Sequence, residues 1–235
     1  MSTDGGGGKR KSDGGEPGAK RQKRKTKVAL SALPRHHQNP TYEAHSRPSA
    51  GGACSTAILG PNSLIEMGSD ADSKKPPAIA SARANYPECS FKAGHLLNAD
   101  FGGDGKKSKN LTILSAKGNS NHKNFDNNVK RALQHLKKLY ELLSNAFVDI
   151  SDIDYGVEVK IQTSFETWGE NPPDCYICDH LKCSAKEWGS FDADSLTDVG
   201  GDDVPDAVKS QADQLKQRVK KCLKKAAKKI RNPSS

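Results

Sequence analysis

His95, Asn110, Asn119, His122 and Asp126 fall within one stretch, KAGHLLNADFGGDGKKSKNLTILSAKGNSNHKNFD, in an order suited to hydrolysis of a phosphate ester. A neutral imidazole such as His95 can take a proton from water near neutral pH. Asparagine and water oxygens suit a hard ion, so Asn119 points to Mg²⁺, while a ligating His122 makes Mn²⁺ or another divalent ion workable. Each residue also has a plainer reading. Asn119 is a good helix N-cap, Asp126 in an early helical turn favours the helix dipole, and His122 in the first turn can be a solvated or phosphate-facing side chain. Asn110 is suited to tying a strand to a turn through its side-chain amide.

Such residues need a scaffold, and the surrounding pattern supplies one. An apolar-containing run over residues 89–97 holds Gly94-His95, and Gly102-Gly103-Asp104-Gly105 follows as a turn that glycine readily allows. A second arm starts at Asn110, Leu111 and Thr112. Beyond Gly118 and the polar Asn119 to His122, the residues Phe125, Val129, Leu133, Leu136, Tyr140 and Leu143 recur at helical spacing. The expected order is strand, glycine turn, strand, helix. That unit would aim His95 at an ion held by Asn119 and His122, beside a helix N-terminus that favours an anionic phosphate.

The ordered elements GHLLN, GG-D-G, NL and N-x-x-H resemble the DNA/RNA non-specific endonucleases of the ββα-metal (His-Me finger) type, closest to toxin-associated versions. The resemblance covers roughly residues 91–132 and implies an α+β fold with a small antiparallel sheet around a ββα-metal core. It implies a catalytic set of His95 as general base, Asn110 pinning the hairpin and Asp126 at the helix carboxylate position, with Asn119 and His122 holding the metal. Two positions depart from the family pattern: Ala93 stands where many relatives carry Arg, and Asp126 where Glu is usual. The implied activity is metal-dependent hydrolysis of DNA and/or RNA with low sequence specificity, since such sites read the sugar-phosphate backbone.

Composition frames that core. The chain has 235 residues, a net charge of +9 and a mean hydropathy of −0.77, with hydrophobic residues at 34%. The charge is uneven along the chain: residues 1–27 and 215–231 are strongly basic, and residues 149–206 strongly acidic. Basic segments are drawn to phosphate. Residues 1–55 read as a disordered basic tail, 56–200 as the nuclease-like domain, and 201–235 as a basic amphipathic helix and tail. In the head, Lys9, Arg10 and Lys11, then Lys20, Arg21, Lys23, Arg24 and Lys25, are spaced like a bipartite nuclear localisation signal that an importin would bind. No apolar run follows the initiator methionine and none is long enough to span a membrane, so the expectation is a soluble chain made in the cytoplasm without a Sec signal. The resemblance then implies export or injection and action in a target-cell nucleus, with an immunity protein or delivery machinery as further partners.

Three other features complete the reading. Tyr155, Val157, Val159, Ile161 and Phe165 alternate with polar residues, the pattern of a half-buried strand. Cys175, Cys178 and Cys183, with His180 among them, hold a partial zinc spacing. Val208, Leu215, Val219, Leu223, Ala226 and Ile230 share one helical face, so residues 204–231 are expected to form one amphipathic basic helix. The competing functions are a non-catalytic nuclear nucleic-acid-binding protein on a nuclease scaffold, and an antibacterial nuclease toxin.

Overall fold

A computed structural model describes residues 26–33, 36–64, 68–71 and 75–233; the basic clusters read as an import signal lie outside them. The described residues form a mixed α+β fold with a five-stranded antiparallel sheet, a two-stranded hairpin and three helices. The strands are β1 (His36–Ala44), β2 (Gly52–Leu59), β3 (Lys92–His95), β4 (Leu111–Leu114), β5 (Tyr155–Thr163), β6 (His180–Gly189) and β7 (Lys228–Arg231). The helices are α1 (Ile79–Asn85), α2 (Ala116–Asn145) and α3 (Asp206–Ala226). The large sheet runs β1-β2-β5-β6-β7, and β3 pairs with β4 alone.

Period-two burial makes β5 the spine of the sheet. Val157, Val159 and Ile161 are buried, while Glu158, Lys160 and Gln162 between them are half-buried on the opposite face. Phe165 does not belong to this pattern. The strand ends at Thr163, and Phe165 is 94% exposed.

Helix α2 supplies the other half of the core. Its stripe of Phe125, Val129, Leu133, Leu136, Tyr140 and Leu143 is wholly enclosed. Ser115 caps the helix, its hydroxyl accepting the Gly118 N–H at 3.0 Å. Asn119 is therefore inside the helix and does not cap it.

Helix α3 packs along α2 through buried Ala212, Leu215, Val219, Leu223 and Ala226. Burying each large apolar side chain contributes about 1.5–3 kcal/mol, so this segment is part of the core. The helix stops at Ala226, where Ala227 turns extended, and Ile230 instead sits in β7 opposite Leu181. A single helix over residues 204–231 is thus corrected to a helix and a strand. The division at residue 55 falls inside β2, and β1 precedes it, so His36–Ala44 and the start of β2 belong to the sheet. β1 escaped notice because it is a polar edge strand, HHQNPTYEA, carrying a proline and register shifts that suit an unpaired edge. Among the described residues no helix is long and apolar enough to cross a membrane.

Candidate active site

The hairpin presents His95 at the end of β3, opposite Leu111, and residues 96–110 connect its two strands. Asn110 holds that connection closed. Its side-chain oxygen accepts the Leu97 N–H at 2.8 Å, and its amide donates to the carbonyls of Leu97 at 3.1 Å and Asp104 at 3.3 Å. The residue is fully buried. With its side-chain oxygen and nitrogen both engaged, Asn110 positions the loop and does not meet a substrate, which removes it from the set of catalytic candidates.

The His95 ring has a defined tautomer. Its Nε2 lies 2.9 Å from the Ser69 carbonyl, an atom that only accepts, so Nε2 carries the proton. The lone pair of the neutral imidazole then resides on Nδ1, which has no hydrogen-bond partner among the described residues. Ser69 is itself locked to the loop. Its carbonyl also accepts the Gly105 N–H at 3.1 Å, and its hydroxyl donates to Asp104 Oδ1 at 2.8 Å.

Asn119, His122 and Asp126 are spaced to share a face of α2. Gly94 lets that face approach the hairpin. A Cβ there would lie 2.5 Å from Leu114 Cδ1 and 3.4 Å from Asn119 Oδ1, so the asparagine oxygen sits directly against the residue preceding His95. Asn98, in the connecting loop, donates its amide to Asp126 Oδ2 at 2.7 Å. His122 Nε2 lies 3.8 Å from Asp126 Oδ1, and the imidazole stacks on Phe125.

This pair is both buried and incompletely satisfied. His122 and Asp126 expose 3% and 7% of their surface, and neither His122 Nε2 nor Asp126 Oδ1 has a hydrogen-bond partner. Burial pushes the Asp126 carboxyl above the usual carboxylate range, while His122, the Asn98 hydrogen bond and His95 pull it the other way and Asp100 adds to the rise. Two orphaned atoms, one nitrogen and one oxygen, face each other 3.8 Å apart, a donor pair suited to a divalent cation. A cation would supply the partner each lacks and would reverse the penalty on the carboxylate.

The cysteine cluster behaves differently. Cys175, Cys178 and Cys183 are buried free thiols and form no zinc site among the described residues. Burial raises Cys178 to about 12 and pushes Cys183 up as well, which disfavours the thiolates that zinc needs. His180 has acidic partners instead. Its Nδ1 meets Asp179 Oδ2 at 3.1 Å and Glu166 Oε2 at 3.5 Å, a group that could hold a metal ion. Its Nε2 is buried without a partner, so a metal on Nδ1 would force an unsatisfied N–H inward. The two carboxylates are better served by an Nδ1–H donor.

Three residues of the site take roles that the sequence pattern does not assign, Asn98 among them although it ends the GHLLN element. Ser69 acts through its backbone carbonyl, Asn98 through a contact to a helix far along the chain, and Asn232 from the third position before Ser235. Asn232 is 1% exposed. Its side chain accepts the Ser115 N–H at 2.8 Å and donates to the Ile113 and Cys178 carbonyls at 3.1 and 2.9 Å. Its backbone bonds Asp179 and the Trp168 indole. A Cβ on Gly118 would come within 2.5 Å of its Oδ1, so Asn232 is wedged under the start of α2.

No protein family, no curated protein and no solved structure matches this chain.

Proposed function

We propose that the chain is a metal-dependent phosphodiesterase, and more narrowly a non-specific endonuclease of DNA and/or RNA of the ββα-metal type. The observation that carries the reading is the His95–Ser69 contact: it leaves Nδ1 as a lone-pair base beside a helix face of Asn119, His122 and Asp126 whose buried polar atoms want a cation. Asn119, His122 and Asp126 would hold Mg²⁺ or Mn²⁺. Once bound, such an ion stabilises charge on the phosphate and the departing oxygen. His95 accepts a proton from the attacking water at Nδ1, and the Ser69 carbonyl, bonded to Nε2–H, steadies the imidazolium that results. Asn98 holds the Asp126 carboxyl, Asn110 keeps the loop closed, and Asn232 fixes the first turn of α2 against the hairpin.

The basic head, with its paired clusters, supports delivery to a nucleus through an importin, and the resemblance supports a toxin or effector role. The test of the activity is digestion of plasmid DNA and total RNA by the purified chain in Mg²⁺, in Mn²⁺ and in EDTA. Cleavage in either ion that stops in EDTA is the expected result. Binding of both nucleic acids without cleavage in any divalent ion would leave a nuclease scaffold used as a basic binding module.

A further inference from the structure

The loop that fixes His95 continues directly into a run of lysines. Ser69 O accepts from both His95 Nε2 and the Gly105 N–H, and the next residues are Lys106, Lys107, Ser108 and Lys109, all exposed. With Pro40 and Tyr42 of β1 they line an open groove of about 580 Å³. No acidic residue lines it. Asp104, two residues before Lys106, is occupied: it accepts the Lys106 N–H and the Ser69 hydroxyl, which hold it below the usual range. The Tyr42 hydroxyl lies 3.3 Å from the Asp104 N–H, and its ring lies 5.3 Å beneath the Lys107 ammonium. The ring therefore seats a cation, and the groove is built from β1 and the loop together.

We propose that this groove binds the sugar-phosphate backbone of a polynucleotide, at phosphates flanking the one presented to His95; the assignment of flanking phosphates rests on the nuclease reading above. Lysines are point charges that bind phosphates in any base sequence, and they match a substrate chosen by its backbone. Because the same loop carries Lys106 to Lys109 and locks the Ser69 carbonyl, strand binding and the orientation of His95 share one structural unit. The substrate is then a strand several phosphates long, and a small diester would bypass the groove.

The test compares the wild type, a Lys106→Ala/Lys107→Ala/Lys109→Ala variant, and a Lys221→Ala/Lys224→Ala/Lys225→Ala variant that removes the same charge from exposed positions on α3. Affinity for labelled 20-nucleotide single-stranded DNA, single-stranded RNA and duplex DNA is measured in EDTA across a salt series. The loop variant should reduce the slope of log K against log salt by about 2 on single strands and about 2.7 on duplex DNA, from three lost phosphate contacts. On a long strand its KM should rise on the order of tenfold at physiological salt with kcat unchanged. Turnover of bis(p-nitrophenyl) phosphate should not change. An unaltered salt slope, or an equal loss from the α3 variant, would overturn the groove. A wild type that binds with the expected slopes but cleaves nothing in any divalent ion would refute the nuclease reading and leave the groove standing.

Discussion

Replacing Asp126 by Asn is expected to stabilise the metal-free protein while abolishing its response to divalent ions. In the wild type Oδ2 accepts from Asn98 at 2.7 Å, a bond an amide oxygen keeps, whereas Oδ1 is buried without a partner 3.8 Å from His122 Nε2. Leaving a buried acceptor unmade costs about 1–3 kcal/mol. Replacing the buried charge by a neutral amide should recover a cost of that order, which for a domain of this size corresponds to a rise in Tm of roughly 2–12 °C. The sign depends on pH. The folded-state pKa of Asp126 is raised, so its contribution to stability is fully present below about pH 4, the ordinary value for an unfolded chain, and is lost as pH rises through the folded-state pKa. The advantage of Asp126→Asn should be near zero at pH 4 and should grow as pH rises to 8. A divalent ion at 100 times its Kd should stabilise the wild type by about 2.7 kcal/mol and the variant by far less. Thermal unfolding followed by circular dichroism, in EDTA and in Mn²⁺ at both pH values, reads all of this. A variant less stable than wild type in EDTA at pH 8, or one with an undiminished Mn²⁺ shift, would refute the reasoning.

Two further substitutions separate support of the site from its chemistry. Asn232→Ala removes three side-chain hydrogen bonds and leaves the Ser115 N–H and two carbonyls buried without partners, so it should cost about 2–4 kcal/mol in urea unfolding and loosen the start of α2 in hydrogen exchange. A cost below 1 kcal/mol would show that Asn232 is not a structural anchor. Asn110→Ala should cost a similar ~2–4 kcal/mol and increase exchange across residues 96–110, and a variant as stable as wild type would contradict the closing role of that amide.

Helix α2 and strand β5 were legible in the sequence because each buries one face, and burial imposes a period that the residues must obey. The stripe from Phe125 to Leu143 and the alternation from Tyr155 to Ile161 are direct records of that constraint. The candidate residues His95, Asn119, His122 and Asp126 were legible for another reason: their types and order are unusual in so short a stretch. What connects them was not. Ser69 contributes a backbone carbonyl, which every residue has, and the residue is separated from His95 by α1. The His36–Ala44 strand looked like linker because an edge strand has little to bury. Ile230 continued the α3 stripe by coincidence of spacing, although the backbone turns extended at Ala227 and delivers it to β6. Asn232 could not be inferred at all, since its partners Ser115, Ile113, Cys178, Asp179 and Trp168 come from three separate parts of the chain.

The central claim is that His95, held in its Nδ1 lone-pair tautomer by Ser69, acts as the base of a metal-dependent nuclease. It is tested most directly by the single-turnover rate of DNA and RNA cleavage by wild type and His95→Ala at saturating Mg²⁺, with thermal unfolding confirming that both are folded. A loss on the order of 10²-fold or more with metal affinity retained is expected. A folded variant that cleaves within a few-fold of the wild-type rate would contradict it.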